Sequence, residues 1–358
     1  MLHKVNQECA IKISNVWKIF GNLSKRDFEE ISLNGVSKEE ALDTYDCVIG
    51  VADANFEVYS GEIFCIMGLS GSGKSTLVRH INRLLEPTTG SIIVNGQNII
   101  DLSEKDLRIF RNENIGMVFQ NFALLPHRTV LENVATSLEI RGVPKNQRVE
   151  IAEQMLNTVE LTGWSNRFVH ELSGGMQQRV GLARALAADT GILLMDEPFS
   201  ALDPLIRRQL QSEFIKLSSD LKKTTVFITH DLEEAVRVGH RIAIMNAGRI
   251  VQIGTPEEIV MNPIDNYVAE FVAGISRLKI ARASSIMSTI QDYEKENGPL
   301  PVDAVMADES TDLNQLINIT NDTSSVLGVT NRAGKVVGAI THNKLLKSVM
   351  ERPEFLEK

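Results

Sequence analysis

EIFCIMGLSGSGKSTLVRHINRLLE (residues 62–86) holds three kinds of local structure in succession. The unbroken apolar run IFCIM has the composition of a strand buried on both faces. STLVRHINRLLE reads as the helix that follows. Between them, GLSGSGKST (68–76) satisfies G-x-x-x-x-G-K-[ST] through Gly68, Gly73, Lys74 and Ser75. Glycines let backbone N–H groups close on phosphate oxygens, the Lys74 ammonium reaches the β and γ oxygens, and Ser75 offers a hydroxyl to Mg²⁺. Ser70, Gly71, Ser72 and Thr76 complete the predicted cradle. From average residue usage such a match arises by chance in roughly one chain of this length in a hundred, so an ordinary glycine turn is the weaker reading.

A second glycine-rich helix start lies in HELSGGMQQR (170–179), ahead of VGLARALA. Exposed N–H groups at such an end also attract an anion. One chain therefore carries two phosphate cradles. GILLMDEP (191–198) adds carboxylates, because an apolar strand there ends in Asp196 and Glu197, at the sheet edge where α/β folds bind ligands. Asp196 is expected to hold Mg²⁺ through water, and Glu197 to orient and polarise an attacking water. An apolar run ending in two acids is common alone. Beside a phosphate loop it is the expected companion.

With 358 residues the chain has room for one large domain and a small one. Its 43% apolar and 23% charged residues are the balance of a soluble globular protein. A net charge of −9 has the wrong sign for a general nucleic-acid binder, so no nucleic-acid partner is expected. The sequence shows no apolar signal core and no apolar run near the length of a membrane span, so a membrane role would go through a partner. Cys9, Cys47 and Cys65 have no metal-site spacing and read as structural thiols of a reducing cytoplasm.

Along the chain, AIKISNVWKIF alternates as a strand and SIIVNGQNI reads as a hairpin turning at Asn95-Gly96. A polar insert, 21–46, interrupts the strands after Phe20. Its SKEE (37–40) is a capping-box signature, and two short helices are expected within it. From about 122 to 188 the pattern is helical, with TVLENVATSLEIRG as one helix. Strands return in GILLMDE, TTVFITH and RIAIMNAGRIVQIG, and Thr255-Pro256-Glu257-Glu258 starts a further helix. The order implies an α/β core with a β-subdomain and an inserted α-helical subdomain. After Gly274 the character changes. Residues 275–299 read as a linker or degenerate half-module, and 300–358 as a small α+β domain in the order strand, helix, strand, turn, strand, helix.

These motifs, taken in order, resemble the ATP-binding cassette (ABC) ATPases. The series is GLSGSGKST, Gln120 in MVFQNFALLPHRTV, LSGGMQQR (172–179), ILLMDEPFSALDP (192–204) and His230 in FITHD. The resemblance covers about residues 11–273 and implies a P-loop RecA-like core that binds ATP and Mg²⁺. It implies that Gln120 links the metal, shared with Ser75 and Asp196, to the helical subdomain. Glu197 and His230 would be catalytic, with His230 on the γ-phosphate. Phe20, in preference to Trp17, would stack on adenine. In this family the LSGG of one subunit closes over ATP held by another, which answers the puzzle of two cradles. Ser173, Gly174, Gly175 and Gln177 would then act in trans, with Asp203 in the loop coupling two sites. A twofold homodimer is the simplest closure.

FALLPHRTVLENV resembles the segment that importer ATPases present to a permease. The match narrows to glycine betaine/proline-type importers, on the insert after Phe20, on EIFCIMGLSGSGKSTLVRHINRLLEPTTG, and on a tail resembling a cystathionine-β-synthase (CBS) module. That resemblance implies two permease subunits, a substrate-binding protein reached through them, and a peripheral place on the cytoplasmic face of the inner membrane. The cargo would be a quaternary amine or methylated-amine osmolyte. The competing readings are another type I importer ATPase and a soluble ABC ATPase of DNA repair or translation; the latter usually brings coiled coils, zinc modules or paired cassettes. Where nucleotide-binding CBS units often carry Asp, the tail has Lys344 in GAITHNK, and Lys cannot accept from ribose hydroxyls. Arg332, Lys335, Lys344 and Lys347 form its local cationic set.

Overall fold

The structure, a computed structural model, describes residues 8–320, 326–331 and 333–350 and divides into two compact units, Met1–Val251 and Gln252–Lys358. The strands of the first unit are β1 (Cys9–Phe20), β2 (Val48–Tyr59), β3 (Ile63–Met67), β4 (Thr89–Val94), β5 (Gln97–Asn98), β6 (Ile115–Val118), β7 (Ile192–Asp196), β8 (Thr224–Ile228), β9 (Arg241–Asn246) and β10 (Arg249–Gly254), the last crossing the boundary. An antiparallel sheet runs β2-β1-β4-β5 and a second sheet runs β10-β9-β3-β8-β7-β6. In the second, β9, β3, β8, β7 and β6 are mutually parallel. Every residue of β3, β7 and β8 is buried, as expected of parallel strands covered on both faces. The β4–β5 hairpin turns where expected, with Asn95 and Gly96 both left-handed.

The insert is an excursion from the β1–β2 hairpin, since Phe20 pairs with Val48 and Ile19 with Ile49 across its base. It forms α1 (Lys25–Asn34) and α2 (Lys38–Tyr45). Ser24 and Asp27 make a capping box on α1, Gly35 ends it at φ 63°, and Ser37 caps α2. Ile31, Val36 and Ala41 from the insert share a core with Trp17, Cys47 and Ile49. Trp17 is only 6% exposed and meets Phe28 edge-on at 5.7 Å, so its indole is structural.

The phosphate loop leads into α3 (Lys74–Ile81), and α4 (Glu104–Asn114) precedes β6. The helical region holds α5 (Val130–Val134), α6 (Thr136–Ile140), α7 (Lys145–Thr158) and α8 (Gly174–Ala187). The helix expected through TVLENVATSLEIRG is thus two, parted at Ala135. There the Thr136 hydroxyl donates to the Glu132 carbonyl at 2.8 Å, a back-bond that bends helices. Two further helices, α9 (Pro204–Asp220) and α10 (Leu232–Val238), alternate with β7, β8 and β9.

The second unit contains α11 (Pro256–Met261), α12 (Asn266–Val272), α13 (Ala283–Ile286), β11 (Ser288–Thr289), α14 (Ile290–Asn297), β12 (Val305–Asp308), α15 (Leu313–Thr320), β13 (Leu327–Thr330), β14 (Val336–Ile340) and α16 (His342–Met350). Its sheet runs β11-β14-β13-β12, with β12 parallel to β13 and β14 antiparallel to it. Contacts divide at Val251, upstream of the change in composition at Gly274. Met261 and Leu278 both pack on the core of Leu313, Leu316, Leu327 and Val329, and Glu257 accepts the Arg282 N–H at 2.8 Å. β11 joins the sheet, which makes residues 275–299 part of this unit. Lys344 donates to the Ser288 hydroxyl at 2.9 Å; Arg332 lies outside the described residues.

Candidate active site

Three parallel strands deliver the chemistry to one edge. β3 leads into the phosphate loop, β7 ends at Asp196 with Glu197 following it, and β8 leads to His230. A cleft of about 590 Å³ opens there, lined by Phe20, Lys74, Ser75, Gln120, Glu197 and His230 together with Ser70, Gly71, Gly73 and Thr76. Loop shape depends on glycine at two positions. A Cβ on Gly68 would lie 2.2 Å from the Met245 carbonyl oxygen, and one on Gly73 would lie 2.2 Å from the Gly50 carbonyl oxygen; both residues have positive φ. Gly50 in turn leaves room for the Phe20 ring, which would meet a Cβ there at 2.7 Å. Phe20 is 41% exposed, with the Lys18 ammonium 5.0 Å from its ring centre.

Lys74 is buried and donates to the carbonyls of Gly68 (2.8 Å) and Leu69 (2.9 Å), with the Ser72 hydroxyl at 3.5 Å. Burial pushes its pKa down, opposed by the carboxylates of Glu197 and Asp196. Polyphosphate oxygens would replace those carbonyls with charged acceptors. Asp196 is 1% exposed; its Oδ1 accepts from Ser75 Oγ at 2.8 Å. Its Oδ2 is buried without a hydrogen-bond partner, the nearest cation being Arg79 at 3.8 Å. Burial raises the Asp196 pKa, with Ser75 and Arg79 opposing. A buried carboxylate with one oxygen unmatched, a hydroxyl beside it and Gln120 on the same cleft fit Mg²⁺, which takes oxygen donors and keeps phosphate and water ligands.

Glu197 is held at φ 49°, and its Oε2 lies 3.2 Å from His230 Nδ1. The carboxylate is largely shielded at 17% exposure, whereas the imidazole is 62% exposed. Gln178, from the signature helix α8, fixes this turn. It is buried, donates to the Glu197 carbonyl at 3.0 Å and accepts the Ala201 N–H at 3.0 Å. The sequence alone does not single out Gln178, since QQR offers no sign of which glutamine faces inward. Nor does it single out the side chains that brace the segment after Gln120. Asn133 accepts from Leu125 N at 2.7 Å and donates to the Leu125, Arg128 and Thr129 carbonyls, while Arg184 donates to the carbonyls of Phe122 and Ala123.

The set expected to act in trans is absent from the lining of the cleft. Ser173 caps α8, accepting from Met176 N, and both Ser173 and Gly174 are exposed. Gly175 faces the turn after Glu197, where an added Cβ would meet Leu202 at 3.2 Å. Gln177 donates to the carbonyls of Val169 and Leu172, and Asp203 caps α9. A single chain thus presents the phosphate loop and the LSGG turn as separate surfaces.

The ABC transporter family profile matches residues 51–200. The glycine betaine transport ATP-binding protein OpuAA of Bacillus subtilis is 52% identical over 289 residues, covering 81% of this chain and 69% of that one. The chain belongs to the ABC transporter family. It is an ATP-binding subunit, an ATPase coupled to transport. The trimethylamine N-oxide transport system ATP-binding protein TmoW of Pelagibacter ubique is 42% identical over 349 residues, covering 96% of this ABC subunit and 98% of TmoW. Among solved structures, the dimeric ATP-binding cassette MJ0796 in a post-hydrolysis state with ADP and Pi is 32% identical, with a TM-score of 0.60, covering 69% of this chain and 98% of that one. No helix among the described residues is long and apolar enough to cross a membrane.

Proposed function

We propose that this ABC subunit energises uptake of a quaternary amine or methylated-amine osmolyte through a partner permease. The observation that carries the reading is similarity along nearly the whole chain to TmoW, combined with 52% identity to OpuAA. Glycine betaine, proline betaine, choline, carnitine and trimethylamine N-oxide are the candidate cargoes. Two copies of the subunit pair as a homodimer on two permease subunits, at the cytoplasmic face of the inner membrane, and a substrate-binding protein engages through the permease. The dimeric state of the solved MJ0796 cassette supports the pairing.

In this reading Phe20 stacks on adenine, while Gly68, Ser70, Gly71, Ser72, Gly73 and Thr76 wrap the phosphates around Lys74. Ser75, Gln120 and Asp196 would hold Mg²⁺, which when bound supplies charge neutralisation to the phosphate oxygens. Glu197 orients the attacking water and takes up its proton, and His230 steadies the γ-phosphate side. Ser173, Gly174, Gly175 and Gln177 of the second copy close over the phosphates, and Asp203 joins the two sites. Gln120 sits between the nucleotide and the segment braced by Asn133 and Arg184, the natural route for a signal to the permease.

The test is reconstitution with a permease and substrate-binding protein that co-assemble with this subunit, with ATP hydrolysis measured against a panel of methylated amines, amino acids and polyamines. Stimulation by one or more of the amines is expected. Stimulation only by ordinary amino acids or polyamines would overturn the cargo assignment.

A further inference from the structure

Lys38 is the first residue of α2, and its side chain leaves the insert for the phosphate loop. Its ammonium donates to the Gly71 carbonyl at 2.9 Å and lines the same cleft as Lys74, Thr76 and Gln120. The placement is built rather than incidental. Ser37 caps the helix one residue earlier, and fully buried Ala41, three residues later, locks α2 into the insert's core with Ile31 and Val36. Lys38 pairs with no carboxylate among the described residues; its neighbour Glu39 is exposed. Burial pushes the Lys38 pKa down, with Glu39 opposing. One bond to a backbone carbonyl does little to offset the entropy and desolvation of ordering an ammonium there. An anion in the cleft would offset both.

We propose that Lys38 is a nucleotide-phosphate ligand supplied by the insert, its ammonium exchanging the Gly71 carbonyl for a phosphate oxygen when ATP enters the cleft. A four-carbon stem with three rotatable donors suits such a short transfer. The insert thereby contributes a second lysine, beside Lys74, to a loop from which it is remote in sequence. This rests on the reading of the cleft as the ATP site.

The experiment compares wild type with Lys38→Gln, Lys38→Arg and Lys74→Ala in the full chain. ATP affinity is measured by calorimetry at several salt concentrations, with thermal unfolding as a check on folding. Hydrogen exchange across residues 68–76 without nucleotide reports the loop itself. Lys38→Gln, whose amide can still donate to a carbonyl, should bind ATP roughly ten-fold more weakly, the scale of one charge-assisted hydrogen bond. Its affinity should also depend less steeply on salt. Lys38→Arg should recover most of the loss, with loop exchange unchanged in all Lys38 variants. Wild-type ATP affinity in Lys38→Gln, while Lys74→Ala has lost it, would overturn the inference and leave the ATP site standing. Faster loop exchange in Lys38→Gln, unrescued by Lys38→Arg, would also overturn it by making Lys38 a scaffold. Wild-type affinity in a folded Lys74→Ala would refute the reading of the cleft and the inference together.

Discussion

At Glu197 two requirements meet, a left-handed backbone at φ 49° and a carboxylate 3.2 Å from His230. A non-glycine residue in that conformation costs of order 1–3 kcal/mol and persists only where its surroundings determine it. Gln178 and the Ile228 carbonyl, which accepts Glu197 N–H at 3.1 Å, provide that determination. The strain aims a shielded carboxylate into the cleft beside a solvent-facing imidazole. Glu197→Gln keeps size and backbone but removes the basic oxygen. It should therefore retain ATP within about three-fold of wild type while lowering steady-state hydrolysis by about 10²-fold or more, the range of a lost general base. ATP-bound dimers should accumulate, visible by size-exclusion chromatography. Near wild-type turnover in the assembled transporter would remove Glu197 from its proposed role.

His80, in the last turn of α3, shows how an element carries a pH dependence. It is fully buried, its Nδ1 lies 2.6 Å from the Leu85 carbonyl, and its Nε2 has no hydrogen-bond partner. With the carbonyl as acceptor, Nδ1 must carry the proton of the neutral ring. Burial lowers the His80 pKa below the usual 6.5, the Leu85 bond opposing it. The unfolded chain therefore binds a proton at higher pH than the folded one. The stabilisation is fully present above about pH 6.5 and is lost as pH falls toward the folded pKa. His80→Gln should flatten the decline of the unfolding midpoint between pH 7 and pH 5, even if its absolute stability drops. Parallel wild-type and variant slopes would refute the assignment. Elements with such local chemistry were legible from sequence: the apolar run of β3, the Asn95-Gly96 turn and the capped starts at Ser37 and Thr255. What escaped depended on tertiary placement. Lys38 meets Gly71 only because α1 and α2 pack on β1 and β2, and Gln178 faces Glu197 only through the phase of α8. Composition changes at Gly274, whereas packing joins Met261 and Leu278 in one core.

For the whole molecule the decisive feature is that one chain keeps its phosphate loop and its LSGG turn on separate surfaces. Lys74 and Glu197 line the cleft, and Ser173 stands exposed on its own helix cap. A homodimer would complete each cleft with the opposite copy's turn. This pairing makes a prediction that no single-chain site shares. Lys74→Ala removes the ammonium facing the phosphates and damages the cis half of a site. Ser173→Arg places a bulky cation in the trans half and blocks closure. Each homodimer then has two damaged sites. A mixed dimer has one site carrying both lesions and one carrying neither. Mixing the two inactive variants should therefore restore hydrolysis, up to about a quarter of wild type when half the dimers are mixed and each has one working site of two. Differently tagged variants co-purified with the permease would establish that mixed dimers form. If mixed dimers form and hydrolysis stays at the level of the separate variants, independent composite sites are ruled out. Either Ser173 then acts in its own chain's cleft, or both sites must be intact before either turns over. Measuring Lys74→Ala mixed with wild type separates these two, because an obligatory pair of intact sites predicts no activity from that mixed dimer.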